Sequence, residues 1–210
     1  IYDIFSKKLT EVAPFTVDLL LPSGAENLNY VLYTDESPYK MQREWLDRLP
    51  FDIYSVNVHT GAKRLIGRSY RTAPKWSVNG KWAVMYDPIA QVWNKFDGAT
   101  GKVVNISDAI GYPMFVESYD KPAPAPAYGI AGWTADGNNV FLYDAYDWWK
   151  IDLTGERQPE CLTKGYGRKH GKSIRKMTSN IDKDVFQKDE KVIVSLWDKD
   201  TMDEGVYQLD

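Results

Sequence analysis

The chain has 210 residues, of which 43% are hydrophobic, 26% charged and 14% aromatic, and its formal net charge is −3. This is the composition of a globular chain that can bury a core, not of a disordered one. The small negative charge argues against a nucleic-acid partner, and no apolar run reaches the roughly 18 residues of a membrane helix. The single cysteine, Cys161, excludes an internal disulfide and a multi-cysteine metal site.

The aromatic content predicts an all-β chain. The 8 Trp, 14 Tyr and 7 Phe residues favour strands, and the 15 Gly and 11 Pro residues supply turns. The sequence starts at Ile1 and ends in a strand-like segment at Asp210. We therefore expect it to be a piece of a longer protein.

An internal repeat is the main signal along the chain. The segment 76–87 (WSVNGKWAVMYD) recurs at 133–144 (WTADGNNVFLYD), 57 residues later. Weaker copies occur at 31–35 and 195–198. One aromatic position recurs in all four copies, as Tyr33, Tyr86, Tyr143 and Trp197, which are 53, 57 and 54 residues apart.

A second pattern in each repeat predicts tight hairpins. Thr-Gly dipeptides at 60–61, 100–101 and 154–155 lie between apolar runs, where glycine can take a positive φ and close a turn. Asn79-Gly80 and Asp136-Gly137 are turn dipeptides of the same kind. Each repeat therefore predicts four short antiparallel strands, the unit of a β-propeller blade.

We interpret 1–210 as a single β-propeller segment with about four blade equivalents of WD40-like type. The full repeats span roughly 31–80, 81–137 and 138–190, and partial ones span 1–30 and 191–210. Propellers protect strand edges by closing a ring, and these repeats are few for a ring. We expect an open arc, a fragment of a larger ring, or a homodimer in which a strand edge pairs with a second copy.

Two insertions lengthen the repeats. The first, 36–50, contains a segment at 39–48 in which the spacing of Met41, Trp45 and Leu46 favours a short helix. The second, 111–129, contains the run KPAPAPA, which stiffens towards polyproline II. There we expect an ordered connecting loop rather than a ligand for a proline-binding groove.

Two serines lie in sequences that come close to a catalytic motif. Ser69 and Ser173 lie in Gly-x-Ser-x-Arg sequences, which lack the final glycine of a hydrolase nucleophile elbow, so we expect loop or strand serines. The two histidines, His59 and His170, form no HExxH pattern, and we predict neither a metal site nor a cofactor. Cys161 lies in an apolar segment and is expected to be a small core residue.

The densest aromatic and basic cluster is a loop segment that contains Tyr166, Arg168, Lys169 and His170. Loops between propeller strands carry contacts. One interpretation is packing between blades with solvent exposure, and the other is contact with a partner domain or with an acidic peptide terminus. We take Tyr166, Arg168 and His170 as candidate binding residues.

A propeller glycosidase or lactonase needs clustered carboxylates at the propeller axis. The recurring aspartates are candidates by position, but each follows a strand aromatic, where capping of a turn explains it. They are Asp35, Asp87, Asp144 and Asp198.

The repeat resembles the propeller repeats of TolB-type proteins and of prolyl oligopeptidase-family peptidases, through its Trp-Ser-x-x-Gly-Lys, Asp-Ile-Tyr and Thr-Gly patterns. Three runs are more specific: 126–134 (PAYGIAGWT), 142–149 (LYDAYDWW) and 162–170 (LTKGYGRKH). They are similar to the N-terminal propeller of large prolyl oligopeptidase-like serine peptidases of the Bacteroidetes type, dipeptidyl and acylaminoacyl peptidases among them. The resemblance covers roughly residues 20–210.

This resemblance implies that the chain alone is not an enzyme. In that family the propeller precedes an α/β-hydrolase domain with a Ser, Asp, His triad, and no motif of that triad is present in this sequence. The implied partners are that C-terminal hydrolase domain and peptides. In dipeptidyl peptidase relatives a pair of propeller glutamates binds the substrate amine. The closest match here, Asp203-Glu204, is not a glutamate pair and lies at a different place in the sequence, so this mode of substrate binding is not supported.

The role that the resemblance implies is to cap the hydrolase site and restrict access to small peptides, in a periplasmic or secreted protein. The alternative is a free-standing periplasmic propeller that acts as a binding module or scaffold.

Overall fold

The computed structural model describes residues 2–3, 7–14, 17–23, 29–46, 48–177 and 184–209. The chain divides into two compact units, Ile1–Asn105 and Ile106–Asp210. Each unit contains two larger sheets built from short strands.

The first unit holds two four-stranded antiparallel sheets, each a meander in which neighbours along the chain are neighbours in the sheet. One consists of β3 (Leu19–Leu21), β4 (Tyr30–Asp35), β5 (Phe51–Asn57) and β6 (Lys63–Tyr70). The other consists of β7 (Lys75–Trp76), β8 (Trp82–Asp87), β9 (Val92–Asp97) and β10 (Val103–Asn105). A two-stranded ladder pairs β1 (Tyr2–Asp3) with β2 (Lys8–Leu9).

The two larger sheets of this unit share one hydrophobic core. Leu32, Ile53 and Tyr70 of the first sheet pack with Met85 and Phe96 of the second, and all five are almost fully buried. Side chains two positions apart in a strand point to the same face, so one face of each sheet contributes to this core. Burial of that shared face holds the two sheets together.

The second unit repeats the meander with one departure. Its first sheet has β11 (Ile130–Thr134), β12 (Asn139–Tyr143), β13 (Trp148–Asp152) and β14 (Glu160–Cys161) in chain order. A fifth strand, β16 (Val185–Phe186), joins the edge of β11 in parallel. The other sheet has β15 (Lys172–Lys176), β17 (Val192–Asp198) and β18 (Glu204–Leu209). Helix α1 (Tyr166–Lys169) connects β14 to β15.

The parallel strand β16 is a feature that the repeat does not predict. Trp133 is paired with Val185, and Thr134 with Phe186. The close approach needs a residue without a side chain, because a Cβ atom on Gly132 would lie 2.7 Å from the Asp184 carbonyl oxygen. Phe186 then enters the core between the two sheets with Trp148.

The predicted fold class is confirmed. Across the described residues, the four larger sheets are antiparallel and of the blade type apart from the added parallel strand β16, and helices are few and short. The recurring aromatic position lies in the second strand, in chain order, of each of the four larger sheets. Tyr33 is in β4, Tyr86 in β8, Tyr143 in β12 and Trp197 in β17. No helix among these residues is long and apolar enough to cross a membrane.

The repeated turn sequences form the same hydrogen bonds in both units. The Ser77 hydroxyl donates to Asn79 at 2.8 Å and accepts the Trp82 N–H at 3.2 Å. In the next copy the Thr134 hydroxyl donates to Asp136, and accepts the Asn139 N–H at 3.1 Å. The glycine of each turn has a positive φ, +66° for Gly80 and +68° for Gly137. The dipeptides therefore close the turns that the sequence predicts.

The two insertions take different forms. The predicted helix at 39–48 is instead a 3-10 helix at Ser37–Gln42 followed by turns, and Asp47 lies outside the described residues. Met41 is 84% exposed and Trp45 75%, so their helical spacing does not mark a packed face. The proline-rich loop is ordered as expected, with a β-bridge between Phe115 and Ala127 and a bond from the Val116 N–H to the Pro126 carbonyl. A second 3-10 helix, Asp108–Ile110, precedes this loop.

The core tyrosines predict a loss of stability at high pH. Burial raises the pKa of Tyr70 to about 12 and that of Tyr86 to about 12, and the nearby Asp87 carboxylate adds to both shifts. In the unfolded chain these phenols ionise near pH 10. Their contribution to stability is therefore complete below pH 10 and is lost as the pH rises to about 12.

We expect the free energy of unfolding to fall by up to about 1.4 kcal/mol per pH unit for each of the two groups in that window. Urea unfolding of the double variant Y70F/Y86F, compared with the parent chain, measures this slope. A variant slope equal to the parent slope would contradict the assignment to Tyr70 and Tyr86.

Candidate functional site

A buried carboxylate organises the turn after β12. Asp144 is fully buried, and its Oδ1 atom accepts the backbone N–H groups of Tyr146 at 2.7 Å and Asp147 at 2.6 Å. Its Oδ2 atom accepts Nε1 of Trp149 at 3.0 Å and Nη2 of Arg168 at 3.2 Å. Four donors therefore compensate the loss of water around this charge.

The position of Asp144 follows from the repeat. Asp87 and Asp198 occupy the same position in other copies, and each accepts two backbone N–H groups from the turn that follows it. Asp35 accepts one, from Ser37. The capping explanation of the recurring aspartates thus accounts for these contacts. Asp144 is distinguished by its complete burial and by the two side chains, Trp149 and Arg168, that donate to its second oxygen.

A second buried carboxylate, Asp147, fixes the short helix α1. Its Oδ1 accepts the Thr163 hydroxyl at 2.6 Å and the Gly167 N–H at 2.9 Å, and its Oδ2 accepts the Arg168 N–H at 3.0 Å. The helix lies so close that a Cβ on Gly167 would be 2.6 Å from the Lys172 carbonyl oxygen and 2.7 Å from that of Tyr146. Only glycine fits there.

The side chain of Arg168 lies between two aromatic rings. Its guanidinium carbon is 4.0 Å from the ring centroid of Tyr112 and 5.0 Å from that of Tyr146, within the range of cation–π attraction. Nη2 binds Asp144, whereas the buried Nε has no hydrogen-bond partner within the described residues. The side chain keeps 27% of its surface exposed.

A second guanidinium, that of Arg175, supports the same turn from β15. It donates to the carbonyl oxygens of Asp144 at 2.7 Å and Ala145 at 3.3 Å, and its carbon lies 4.7 Å from the ring centroid of Tyr143. Burial lowers the pKa of Arg175 from its ordinary value, and the nearby negative groups, Asp144 among them, oppose that shift. Two guanidiniums therefore balance the two buried carboxylates.

Beside this network lies an open pocket of about 420 Å³. Tyr112 and Trp149 form an aromatic wall, with ring centroids 6.0 Å apart. The rest of the lining comes from Asp147, Cys161, Gly165, Arg168 and Lys169. A pocket of this size, with apolar walls and a few fixed polar groups, is typical of a small-ligand site.

The three predicted binding residues do not form one surface. Arg168 turns inward and lines the pocket, whereas the rings of Tyr166 and His170 contact each other with centroids 4.3 Å apart on the exposed side of α1. Their binding role stays a prediction. Lys169, in the same cluster, is exposed and lines the pocket.

Sequence reasoning missed Tyr112, Trp149 and Cys161 as lining residues. Tyr112 belongs to an insertion that the sequence predicts only as a connecting loop, and Trp149 to the run 142–149, which bears only on the family resemblance. Cys161 is half-buried, and its sulfur accepts the Gly165 N–H at 3.2 Å. The expectation of a core cysteine is therefore wrong, because the bend before α1 leaves the sulfur at the pocket. The signal that pointed here was the density of specific residues in 142–170.

No cluster of three or more potential metal ligands is found in the part of the chain that the structure describes. His59 precedes the Thr-Gly turn at 60–61 and is exposed, and its Nε2 lies 3.3 Å from Oδ1 of Asn29.

Comparison with known proteins gives distant structural likenesses. No family model and no curated protein matches the sequence. The chain is similar to TolB from Acinetobacter baumannii, with 12% identity and a TM-score of 0.37 over 99% of this chain and 47% of that one. It is also similar to the β-propeller domain of the Trilobed protease from Pyrococcus furiosus, which has an open velcro topology, with 9% identity and a TM-score of 0.31 over 93% and 67%.

The chain thus spans about half the length of TolB and two thirds of the second propeller. The assignment of the fold class depends on the strand order and on the repeated turns, not on these likenesses.

Removal of the Asp144 carboxylate is expected to destabilise the protein strongly. The variant D144A leaves Arg168, Trp149 and two turn N–H groups without their acceptor, which costs about 3–5 kcal/mol for a broken buried ion pair. Asp198 is the matched control, since it holds the same repeat position with a partly exposed carboxylate, which pairs with the half-exposed Lys172 at 3.4 Å. Urea unfolding should show a much smaller loss for D198A, and equal losses would contradict the role of Asp144.

Substitution of Gly167 tests the contact between α1 and the Asp147 turn. In G167A the new methyl group meets two backbone oxygens that cannot move independently, so we expect a loss of about 3 kcal/mol or more. The control G165A adds a methyl group with nothing within 4 Å, at a φ of +72°, which costs about 1–2 kcal/mol. Thermal unfolding compares the two, and a larger loss for G165A would overturn the packing argument.

Proposed function

We propose that this chain is the non-catalytic β-propeller part of a prolyl oligopeptidase-like serine peptidase, where it restricts the access of peptides to an α/β-hydrolase domain. The observation that carries the proposal is the arrangement of 142–170, the region where the sequence resemblance is most specific. These residues form one network around Asp144 and Asp147, with every carboxylate oxygen occupied by a donor.

The positions of the two near-miss serines support a non-catalytic role. A hydrolase nucleophile stands on a sharp turn between a strand and a helix, with its hydroxyl exposed. Ser173 is instead buried within β15, paired with Trp197 of β17, and Ser69 lies within β6. Neither is placed as a nucleophile elbow requires.

The gating role depends on the rigidity of the blades. Each sheet is closed by turns in which side-chain oxygens bind the backbone, as in the Asp97 turn, where the carboxylate accepts the N–H groups of Ala99 and Thr100. Stiff blades maintain a fixed opening, which selects peptides by size. The partner domain and the periplasmic or secreted location are part of this proposal and come from the sequence resemblance.

The second candidate function is a free-standing periplasmic binding or scaffold propeller. The specific observation that favours it is the pocket beside Arg168. This pocket is large enough for a small ligand and is formed by residues of this chain alone. Edge pairing with a second copy through β18, which pairs only with β17 among the described residues, stays a prediction that either function accommodates.

Two measurements test the proposal. The purified chain, treated with a serine-reactive fluorophosphonate and with peptide and ester substrates, should show neither labelling nor hydrolysis. Labelling that disappears in S69A or S173A would overturn the non-catalytic assignment. The parent gene then separates the two functions: a Gly-x-Ser-x-Gly motif in frame after the Asp210 codon supports the peptidase, and a stop codon there supports the binding module.

A further inference from the structure

We propose that the pocket formed by Tyr112, Trp149, Arg168 and Lys169 binds the C-terminal residue of a peptide, with its carboxylate on the two basic side chains and its apolar side chain against the aromatic wall. This inference goes beyond the gating role and does not depend on the hydrolase domain. It names a ligand chemistry for the propeller itself.

The charge of the site favours a single anion. Asp144 is fully buried and Asp147 is 2% exposed, and their oxygens are occupied by protein donors. Arg168 and Arg175 balance these two charges. The ammonium of Lys169 at the exposed rim remains as one uncompensated positive charge, with no ion pair within the described residues. A carboxylate supplies one negative charge.

Arg168 retains a donor nitrogen for a carboxylate, since Nε is buried but Nη1 has no acceptor among the described residues. Of its guanidinium nitrogens, only Nη2 donates to an acceptor among the described residues, which is Asp144. The ion pair and the two flanking rings of Tyr112 and Tyr146 hold the group in place before any ligand arrives. Such preorganisation lowers the entropy cost of binding.

The aromatic wall of Tyr112 and Trp149 determines which side chain the ligand's C-terminal residue can carry. Trp149 is 9% exposed, and its Nε1 donor is already bonded to Asp144, so its ring offers only apolar contact to a ligand. Tyr112 is 46% exposed and forms the outer side of the wall. A volume of about 420 Å³ is larger than a simple anion needs and suits one large residue with its terminal carboxylate.

Calorimetric titration of the purified chain tests this assignment with three ligands: the acetylated tripeptide Ala-Ala-Phe with a free carboxylate, the same tripeptide as its C-terminal amide, and 3-phenylpropionate. We expect the free acid to bind at least about tenfold more tightly than the amide, because a charge-assisted bond is lost in the amide. Comparable affinity for acid and amide, or no binding of the acid at millimolar concentration, would overturn the proposal. Binding of 3-phenylpropionate without the tripeptide acid would overturn the peptide assignment.

Matched variants locate the site. Lys169 is exposed, so K169Q should fold normally and weaken binding of the acid about five- to tenfold while leaving the amide unchanged. The control K164Q removes an exposed lysine close in sequence that does not line the pocket, and it should bind like the parent chain. Y112L should weaken binding of both ligands. Equal losses in K169Q and K164Q would show general surface attraction and refute the pocket.

Discussion

The arrangement of β12, β13 and α1 in the second unit depends on one requirement: both oxygens of a buried carboxylate must accept hydrogen bonds. Asp144 sits at the end of β12, where water cannot reach it, and the chain has to deliver donors from three directions. The turn supplies two N–H groups, β13 supplies the indole of Trp149, and α1 supplies Arg168. This single demand places a strand, a turn and a helix relative to one another.

The same demand explains why the pocket exists. Arg168 can reach Asp144 only if α1 lies over the end of the sheet, and Asp147 holds the helix there by accepting the N–H groups of Gly167 and Arg168. The chain bends at Gly165, before α1, and this bend leaves Cys161 and part of Trp149 as lining of the pocket. A concave surface with basic and aromatic lining is the result of satisfying two buried charges.

The sequence predicted the local structure well, because repeats and turn dipeptides report on local geometry. The Asn79-Gly80 and Asp136-Gly137 turns, the hairpins at Thr-Gly and the strand aromatics all follow from residues a few positions apart. The site was only partly predictable. Arg168 was singled out, but its partners Tyr112 and Asp144 lie 56 and 24 residues away and become neighbours only through the fold. The helix predicted from the spacing of Met41 and Trp45 is wrong, because both side chains are exposed and spacing alone does not show that a surface is present for them to pack against.

The strand β16 has a consequence for how the second unit unfolds. The chain leaves one sheet at β15, pairs in passing with β11 of the other sheet, and returns to form β17. In repeat proteins whose neighbours merely stack, the modules can melt one after another. Here β16 connects the two sheets of the second unit, and its Phe186 packs in the core that the two sheets share. If either sheet opens, β16 loses its pairing with β11 and Phe186 leaves the shared core. We therefore expect the two sheets to unfold together, in one cooperative transition.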